Sequence, residues 1–159
     1  MNSTFSISAI PQRIWVFKPM SGSYFQAGEV FEKLRNSFSE GDFKGNCSPI
    51  MASYDSPLHV EESKLRWAYG FLTLENEEAE AKAFIEKHSD FKMKTVRGVK
   101  VLQTNWIDFK EGIFEKEVPQ LYGNLFEYAG KEGLLKKGEE CVSFEEYSWN
   151  PKTNYRFKI

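Results

Sequence analysis

Apolar residues alternate with period two in the first clearly patterned segment, Arg13 to Lys18, where both faces of the predicted strand are apolar. A turn at 20–23 follows, and beyond it apolar residues recur three and four positions apart. This spacing predicts a helix that ends near Gly41. Its apolar positions are Ala27, Val30, Phe31, Leu34 and Phe38. The first patterned elements therefore have the order strand, turn, helix.

Two further strands and a second helix follow in the same half. Residues 45–54 alternate, and that strand ends before Pro57, which lacks the N–H that a strand ladder needs. The segment Leu65 to Leu74 is the clearest strand, and its two apolar faces predict a central position in a sheet. Early acidic residues and apolar spacing predict a helix over 77–88, and a short strand is expected at 91–96.

The second half repeats this order of elements. We predict a strand at 99–108, a helical stretch at about 113–130, and strands at 140–148 and 154–158. No linker separates the halves, so we expect a single domain over 1–159 with pseudo-repeats at about 10–96 and 99–159, alike in pattern only. The predicted fold class is α+β: duplicated strand–helix–strand–strand units forming an antiparallel sheet, with helices on one face and a ligand cleft on the other.

Composition and charge narrow the class of protein. The chain has 159 residues, and its 41% of hydrophobic residues are enough to form a core. A count of 21 Lys and Arg against 23 Asp and Glu leaves no positive excess for a phosphate backbone, so we expect no nucleic-acid partner. The longest apolar stretch, Trp67 to Leu72, is too short to cross a bilayer, so no membrane insertion is expected. The N-terminus does not resemble a secretory signal, which favours a cytoplasmic location.

Side chains that commonly hold metals or cofactors are sparse. Cys47 and Cys141 are far apart in the sequence and are expected to be free thiols. His59 and His88 have no second ligand at metal spacing. No Gly-rich phosphate loop follows a strand, and the Gly-x-Ser-x-Gly nucleophile motif is absent. We therefore expect no metal and no cofactor.

An aromatic wall beside a carboxylate is the pattern that suggests a binding site. One face of the strand at 65–74 carries Trp67, Tyr69 and Phe71. In the last long strand, Glu145 and Tyr147 share a face that we expect to point away from the helices, with Phe144 pointing toward them. Aromatic rings and one charge suit a flat or cationic organic molecule. The alternative is that the three aromatic residues are core and Glu145 is a solvated strand residue.

Four motifs occur in an order that resembles the GyrI-like small-molecule-binding family. Gly22 to Phe31 is similar to the family's turn and first helix, and Tyr54 to Pro57 resembles its Tyr-Asp-x-Pro motif. Leu65 to Gly70 is similar to its Arg-x-x-x-Gly strand. Phe144 to Tyr147, followed by Asn150-Pro151, resembles its Glu-x-Tyr strand and Asn-containing turn. The resemblance covers nearly the whole chain and implies the α+β fold predicted above.

Within the family, the chain is most similar to the branch of the testis-expressed ER-phagy receptor. The similarity lies in the strand Arg66 to Gly70 and in Thr104-Asn105-Trp106, which replaces a second Gly-Pro-Tyr. The receptor also has a membrane anchor and a disordered tail, which we do not expect here. This branch implies a possible protein partner.

The resemblance also implies roles for individual residues. Glu145 takes the position of the family's cleft carboxylate, and Tyr147 lies beside it. By the facing of their side chains, and not by a family motif, Trp67, Tyr69 and Trp106 are candidate walls of a site for a small organic molecule that is aromatic or cationic. The implied function is that of a stand-alone effector-binding-like domain. Two alternatives are a hydrolase of reactive xenobiotics that uses Glu145 and Tyr147, and a protein-interaction module.

Overall fold

The computed structural model of the chain describes residues 5–97, 99–108, 110–134, 143–148 and 156–158. The strands are β1 (Phe5–Ile10), β2 (Arg13–Ser21), β3 (Ser48–Ser53), β4 (Arg66–Leu74), β5 (Lys92–Val96), β6 (Val99–Thr104), β7 (Ile107–Asp108), β8 (Ser143–Ser148) and β9 (Arg156–Lys158). The helices are α1 (Ala27–Ser39), α2 (Glu78–Lys87), α3 (Ile113–Lys116) and α4 (Val118–Lys131), with short 3-10 turns at Tyr24–Gln26, Glu62–Lys64 and Glu75–Glu77. Cys141 and Asn150-Pro151, named above, lie outside the described residues.

Seven strands form one antiparallel sheet in the order β5-β2-β4-β3-β8-β9-β7. The first four belong to the first half of the chain and the last three to the second half, so both halves contribute to the same sheet. β4 is an inner strand, as its two apolar faces predicted. The predicted helical stretch is divided into α3 and α4, with Pro119 in the first turn of α4, where its missing N–H is not needed. These features confirm the predicted α+β fold class.

The predicted strand at 99–108 is interrupted at Asn105-Trp106, and its first part pairs with a strand that the sequence analysis did not predict. β1 and β6 form a separate two-stranded ribbon. The pair Ile10–Val99 is in the same antiparallel register as the pair Arg13–Val96. The ribbon is therefore a continuation of the β2–β5 ladder. The break falls at Pro11, which has no N–H to donate to a ladder.

The helices cover one face of the sheet, and the main core lies in that layer. α1 contributes Phe31 and Leu34 to it, and α2 contributes Ala81 and Phe84. The sheet contributes most of the largest fully buried side chains, among them Trp67, Phe71 and Val16. A second, smaller cluster is formed by α3 and α4 and contains Ile113, Val118 and Leu121. The two clusters meet near β8, since Tyr147 packs against both.

The facing of β8 is the reverse of the one that the sequence analysis expected. Glu145 pairs with Met51, which in turn pairs with Tyr69, so all three project from the helix-covered face. Phe144 projects from the opposite face, is 40% exposed, and meets the ring of Trp15 at 6.2 Å. The alternation of the sequence correctly assigns Phe144 and Glu145 to opposite faces of β8. Which of these faces the helices cover depends on the register of the strand in the sheet. The carboxylate is therefore in the layer between sheet and helices.

We searched the described residues for a membrane-spanning helix and for a cluster of metal-binding side chains. No helix among the described residues is long and apolar enough to cross a membrane. Within the same ranges, no group of three or more His, Cys, Asp or Glu side chains is placed to hold a metal ion. Cys47 is half-buried and forms no disulfide with another described residue, and burial raises the pKa of its thiol.

Candidate functional site

Glu145 forms a buried hydrogen-bonded cluster with two tyrosines. The hydroxyl of Tyr122, from α4, donates to Glu145 Oε1 at 2.9 Å, and the hydroxyl of Tyr147, from β8, donates to Oε2. Tyr147 can reach because it lies two residues along the same strand and therefore on the same face. Glu145 itself is only 8% exposed. We call Glu145, Tyr122 and Tyr147 the carboxylate site.

Within the described part of the chain, the Glu145 carboxylate has hydrogen-bond donors but no counterion. Among the described residues, no Lys, Arg or His forms an ion pair with Glu145. Lys18 lies in the same row of the sheet, but three strands away, or about 14 Å at the usual strand spacing. Its ammonium is bound to Asp90 at 2.8 Å. A carboxylate in this position carries a large desolvation penalty when it is charged.

Burial controls the protonation of all three members of the carboxylate site. It raises the pKa of Glu145, and the hydrogen bonds from Tyr147 and Tyr122 oppose that shift only in part. Burial, together with the neighbouring Glu145 charge, also raises the pKa of Tyr147 and of Tyr122. The two phenols therefore keep their protons and remain donors at physiological pH.

Aromatic rings connect the carboxylate site to the main core. The ring of Phe31, from α1, lies 5.1 Å from the ring of Tyr147 and 5.7 Å from that of Tyr69, measured between centroids. Tyr147 also packs against the cluster of α3 and α4. The carboxylate site thus lies where the layers under α1 and α4 meet, with aromatic rings beside the Glu145 carboxyl group.

A fourth tyrosine lies close to this cluster. The phenol of Tyr24 is near enough to contribute electrostatically to the raised pKa of Tyr122, and its ring meets Trp67 edge-on at 6.4 Å. Its hydroxyl donates to the carbonyl oxygen of Asp55 at 2.5 Å. Asp55 is fixed in turn by Arg66, whose guanidinium donates to Oδ1 at 2.9 Å and whose backbone N–H donates to Oδ2 at 2.7 Å. The Asp55–Arg66 pair therefore holds the turn that positions Tyr24.

The structure brings together some of the residues that the sequence analysis named. Glu145 and Tyr147 are in contact. Trp67 and Tyr69 share their sheet face but are only 1% and 6% exposed, and both belong to the main core. Trp106 lies in the connection between β6 and β7 and is 36% exposed. The wall roles of these three aromatic residues remain predictions.

The periodic pattern of the sequence did not identify Tyr122 and Tyr24 as members or neighbours of the site. Tyr122 lies in the predicted helical stretch at about 113–130, whose apolar spacing gave this tyrosine no role of its own. Its hydroxyl was the available signal, because a phenol on a buried stripe needs a polar partner. Tyr24 belongs to the segment Gly22 to Phe31, which resembles the family's turn and first helix, and the resemblance implied no role in the site for this tyrosine.

A shallow hollow on the protein surface lies away from the carboxylate site. It is lined by Pro11, Gln12, Arg13, Leu74, Glu75 and Asn76. Leu74 is five residues along β4 from Tyr69, so the hollow lies toward the other end of that strand and shares no residue with the carboxylate site.

No family model matches the chain, and no curated protein matches it either. Solved structures do match its fold. The crystal structure of the EcmrR C-terminal domain superposes with a TM-score of 0.66 at 9% identity, covering 100% of this chain and 96% of that one. The chain has the GyrI-like fold. It spans 56% of the EcmrR chain seen by cryo-electron microscopy in a complex with DNA.

Two further structures share the GyrI-like fold at similarly low identity. A hydrolase from Listeria innocua has a TM-score of 0.56 and 13% identity, covering 97% of this chain and 88% of that one. SAV2435, solved bound to tetraphenylphosphonium, has a TM-score of 0.54 and 14% identity, covering 98% and 91%. Identities this low establish the fold alone. The expected kinship with the ER-phagy receptor branch stays a prediction.

Proposed function

We propose that this protein binds an organic cation at the carboxylate site. The observation that carries the proposal is the Glu145 carboxylate, buried between sheet and helices with two phenol donors and no positive partner among the described residues. A cation at this position would offset the desolvation of the carboxylate. The structure of SAV2435 with bound tetraphenylphosphonium supports the proposal, since it shows that this fold can hold an organic cation.

The surroundings favour an aromatic or delocalised cation over a small hydrated one. The rings of Phe31 and Tyr147 lie 5.1 Å apart beside the carboxylate, and Tyr69 lies next to Phe31. Each cation–π contact with such a ring is worth about 0.5 to 2 kcal/mol, more when water is excluded. A strongly hydrated ion would lose its water without equivalent ligands. The ligand class is therefore a flat or bulky organic cation.

Calorimetric titration with tetraphenylphosphonium tests the proposal. We expect Glu145→Gln to bind the cation at least about tenfold more weakly than wild type, because the amide keeps the shape but not the charge. Glu146→Gln is the matched control, since it removes the same charge from the adjacent residue, which projects from the opposite face of β8. Equal affinity of wild type and Glu145→Gln would contradict the proposal.

A hydrolase is the second candidate, and the contact between Glu145 and Tyr147 favours it. A protonated carboxyl beside a phenol can donate a proton to a leaving oxygen or nitrogen of a strained ring. The hydrolase from Listeria innocua with the same fold supports this candidate. The test is product formation from epoxide and aziridine compounds. A hydrolase would lose turnover in Glu145→Gln but keep substrate binding, whereas a pure binder would form no product.

The remaining expectations concern partners and location. A protein-interaction module, as the receptor branch implies, would show neither cation binding nor turnover that depends on Glu145. The absence of nucleic-acid binding and the cytoplasmic location also stay predictions. An electrophoretic mobility-shift assay with duplex DNA checks the former, and fluorescent tagging in cells checks the latter.

A further inference from the structure

We propose that the carboxylate site is electrically neutral when it is empty and takes up an organic cation in exchange for one proton. This inference rests on the proposed function, because it describes how that same site accommodates its ligand. The proton comes from the Glu145 carboxyl group and passes to solvent, and the resulting carboxylate pairs with the cation. The site therefore has no net charge before or after binding.

The hydrogen-bond geometry suits both protonation states. Each Glu145 oxygen has its own phenol partner, Tyr122 at Oε1 and Tyr147 at Oε2. A phenol hydroxyl can donate one hydrogen bond and accept others. When Glu145 is charged, both phenols donate to it; when it is protonated, it can donate to one of them. The proton can therefore leave without rebuilding the site.

Among the described residues, no group that contacts Glu145 carries a fixed positive charge. α1 presents Phe31, and its Lys33 is paired with Glu29 at 2.8 Å. Arg35, one turn beyond Phe31 in α1, forms no ion pair with Glu145. The sheet presents Met51 and Tyr69, and the Lys18 of that row is paired with Asp90 at 2.8 Å. The other titratable groups that the described residues place around the site are the phenols of Tyr24, Tyr69, Tyr122 and Tyr147. Among the described residues, then, a proton is what neutralises Glu145 in the empty protein.

The protonation directions agree with this geometry. Burial raises the pKa of Glu145, so the neutral form persists to higher pH than in a solvated glutamate. The pKa of each neighbouring phenol is also raised, so Tyr122 and Tyr147 do not lose protons in the same range. Glu145 is therefore the member of the carboxylate site that releases a proton when a cation arrives.

Titration calorimetry with tetraphenylphosphonium tests the exchange. The charge of this probe is permanent, so any proton released must come from the protein. Runs in two buffers of different ionisation enthalpy, from about pH 5 to about pH 9, give the number of protons released. We expect the release to approach one proton per cation at low pH. Affinity should rise by up to about tenfold per pH unit and then level off, as linkage requires. Glu146→Gln should behave like wild type, and Glu145→Gln should lose both the release and the pH dependence.

The outcomes separate this inference from the proposed function. Binding that weakens in Glu145→Gln but releases no proton and does not vary with pH would overturn the exchange and leave cation binding intact. Unchanged affinity in Glu145→Gln would contradict the proposed site itself.

A measurement without ligand keeps the inference testable on its own. The infrared spectrum of the empty protein should contain a protonated carboxyl band that disappears at high pH and is missing in Glu145→Gln. If the wild-type protein shows no protonated carboxyl band at any pH of the series, the proposed exchange of a proton for a cation is wrong, whatever the protein binds.

Discussion

Gly70 lies in β4 where the backbone of β2 leaves no room for a side chain. A Cβ atom at this position would lie 1.9 Å from the carbonyl oxygen of Val16 and 2.8 Å from the Cα of Phe17. Both obstacles are backbone atoms of a paired strand, so no side-chain rotation can relieve the overlap. We predict that Gly70→Ala destabilises the protein strongly. This close approach is the physical reason why β4 carries a glycine at position 70.

The size of the effect follows from how far the strands must move. Cβ atoms essentially never approach another heavy atom closer than 3.0 Å, so β2 and β4 must separate locally by roughly 1 Å. A ladder hydrogen bond of about 2.9 Å would then lengthen to about 4 Å, beyond hydrogen-bonding distance. Two such bonds lost, at about 1 to 3 kcal/mol for each buried group left unpaired, give roughly 2 to 6 kcal/mol. That is a large part of the stability of about 5 to 15 kcal/mol of a typical domain.

Urea unfolding followed by tryptophan fluorescence measures this loss as a change in the free energy of unfolding. Gly123→Ala is the matched control, because Gly123 is an exposed residue of α4 and a Cβ there would meet nothing within 4 Å. In that helix the same substitution should stabilise by about 0.5 to 1 kcal/mol. A loss below about 1 kcal/mol in Gly70→Ala would refute the steric reasoning, and so would shifts of the same sign in the two variants.

Three further predictions concern titratable groups. Tyr122→Phe and Tyr147→Phe should each weaken tetraphenylphosphonium binding in calorimetry, because losing a hydrogen bond to the charged carboxylate raises the pKa of Glu145 further. Asp42 has its pKa lowered to about 2, first by its hydrogen bond from Lys87, so its stabilisation is present above its ordinary value of 3.8 and is lost as the pH falls toward 2. In urea unfolding at different pH values, Asp42→Asn should lack this acid-side loss. In Cys141→Ser, which leaves Cys47 as the single cysteine, the buried Cys47 thiol with its raised pKa should react with a thiol reagent more slowly in the folded than in the unfolded protein, and equal rates would contradict this.

The sequence by itself determined the type and order of most elements. The spacing of Val30, Phe31 and Leu34 predicted α1, and the alternation through Trp67 and Tyr69 predicted β4. Both patterns are local, since they depend only on the period of a helix or a strand. The same locality placed Glu145 and Tyr147 on one face, because residues two apart in a strand must share it. The strand β1 also had a local signal, the alternation of Phe5 and Ile7 with serines, which the sequence analysis did not use.

The tertiary structure decided which face became the interior and which distant residue completed the site. Alternation separates Phe144 from Glu145, but only the pairing of Glu145 with Met51 places the carboxylate under the helices. The contact with Tyr122 joins α4 to β8 across 23 positions of sequence, and no local period encodes such a pairing. The burial of Trp67 likewise depends on where α1 packs. Periodicity fixes relations within one element, whereas strand register and helix packing fix relations between elements, and the carboxylate site is built from the second kind.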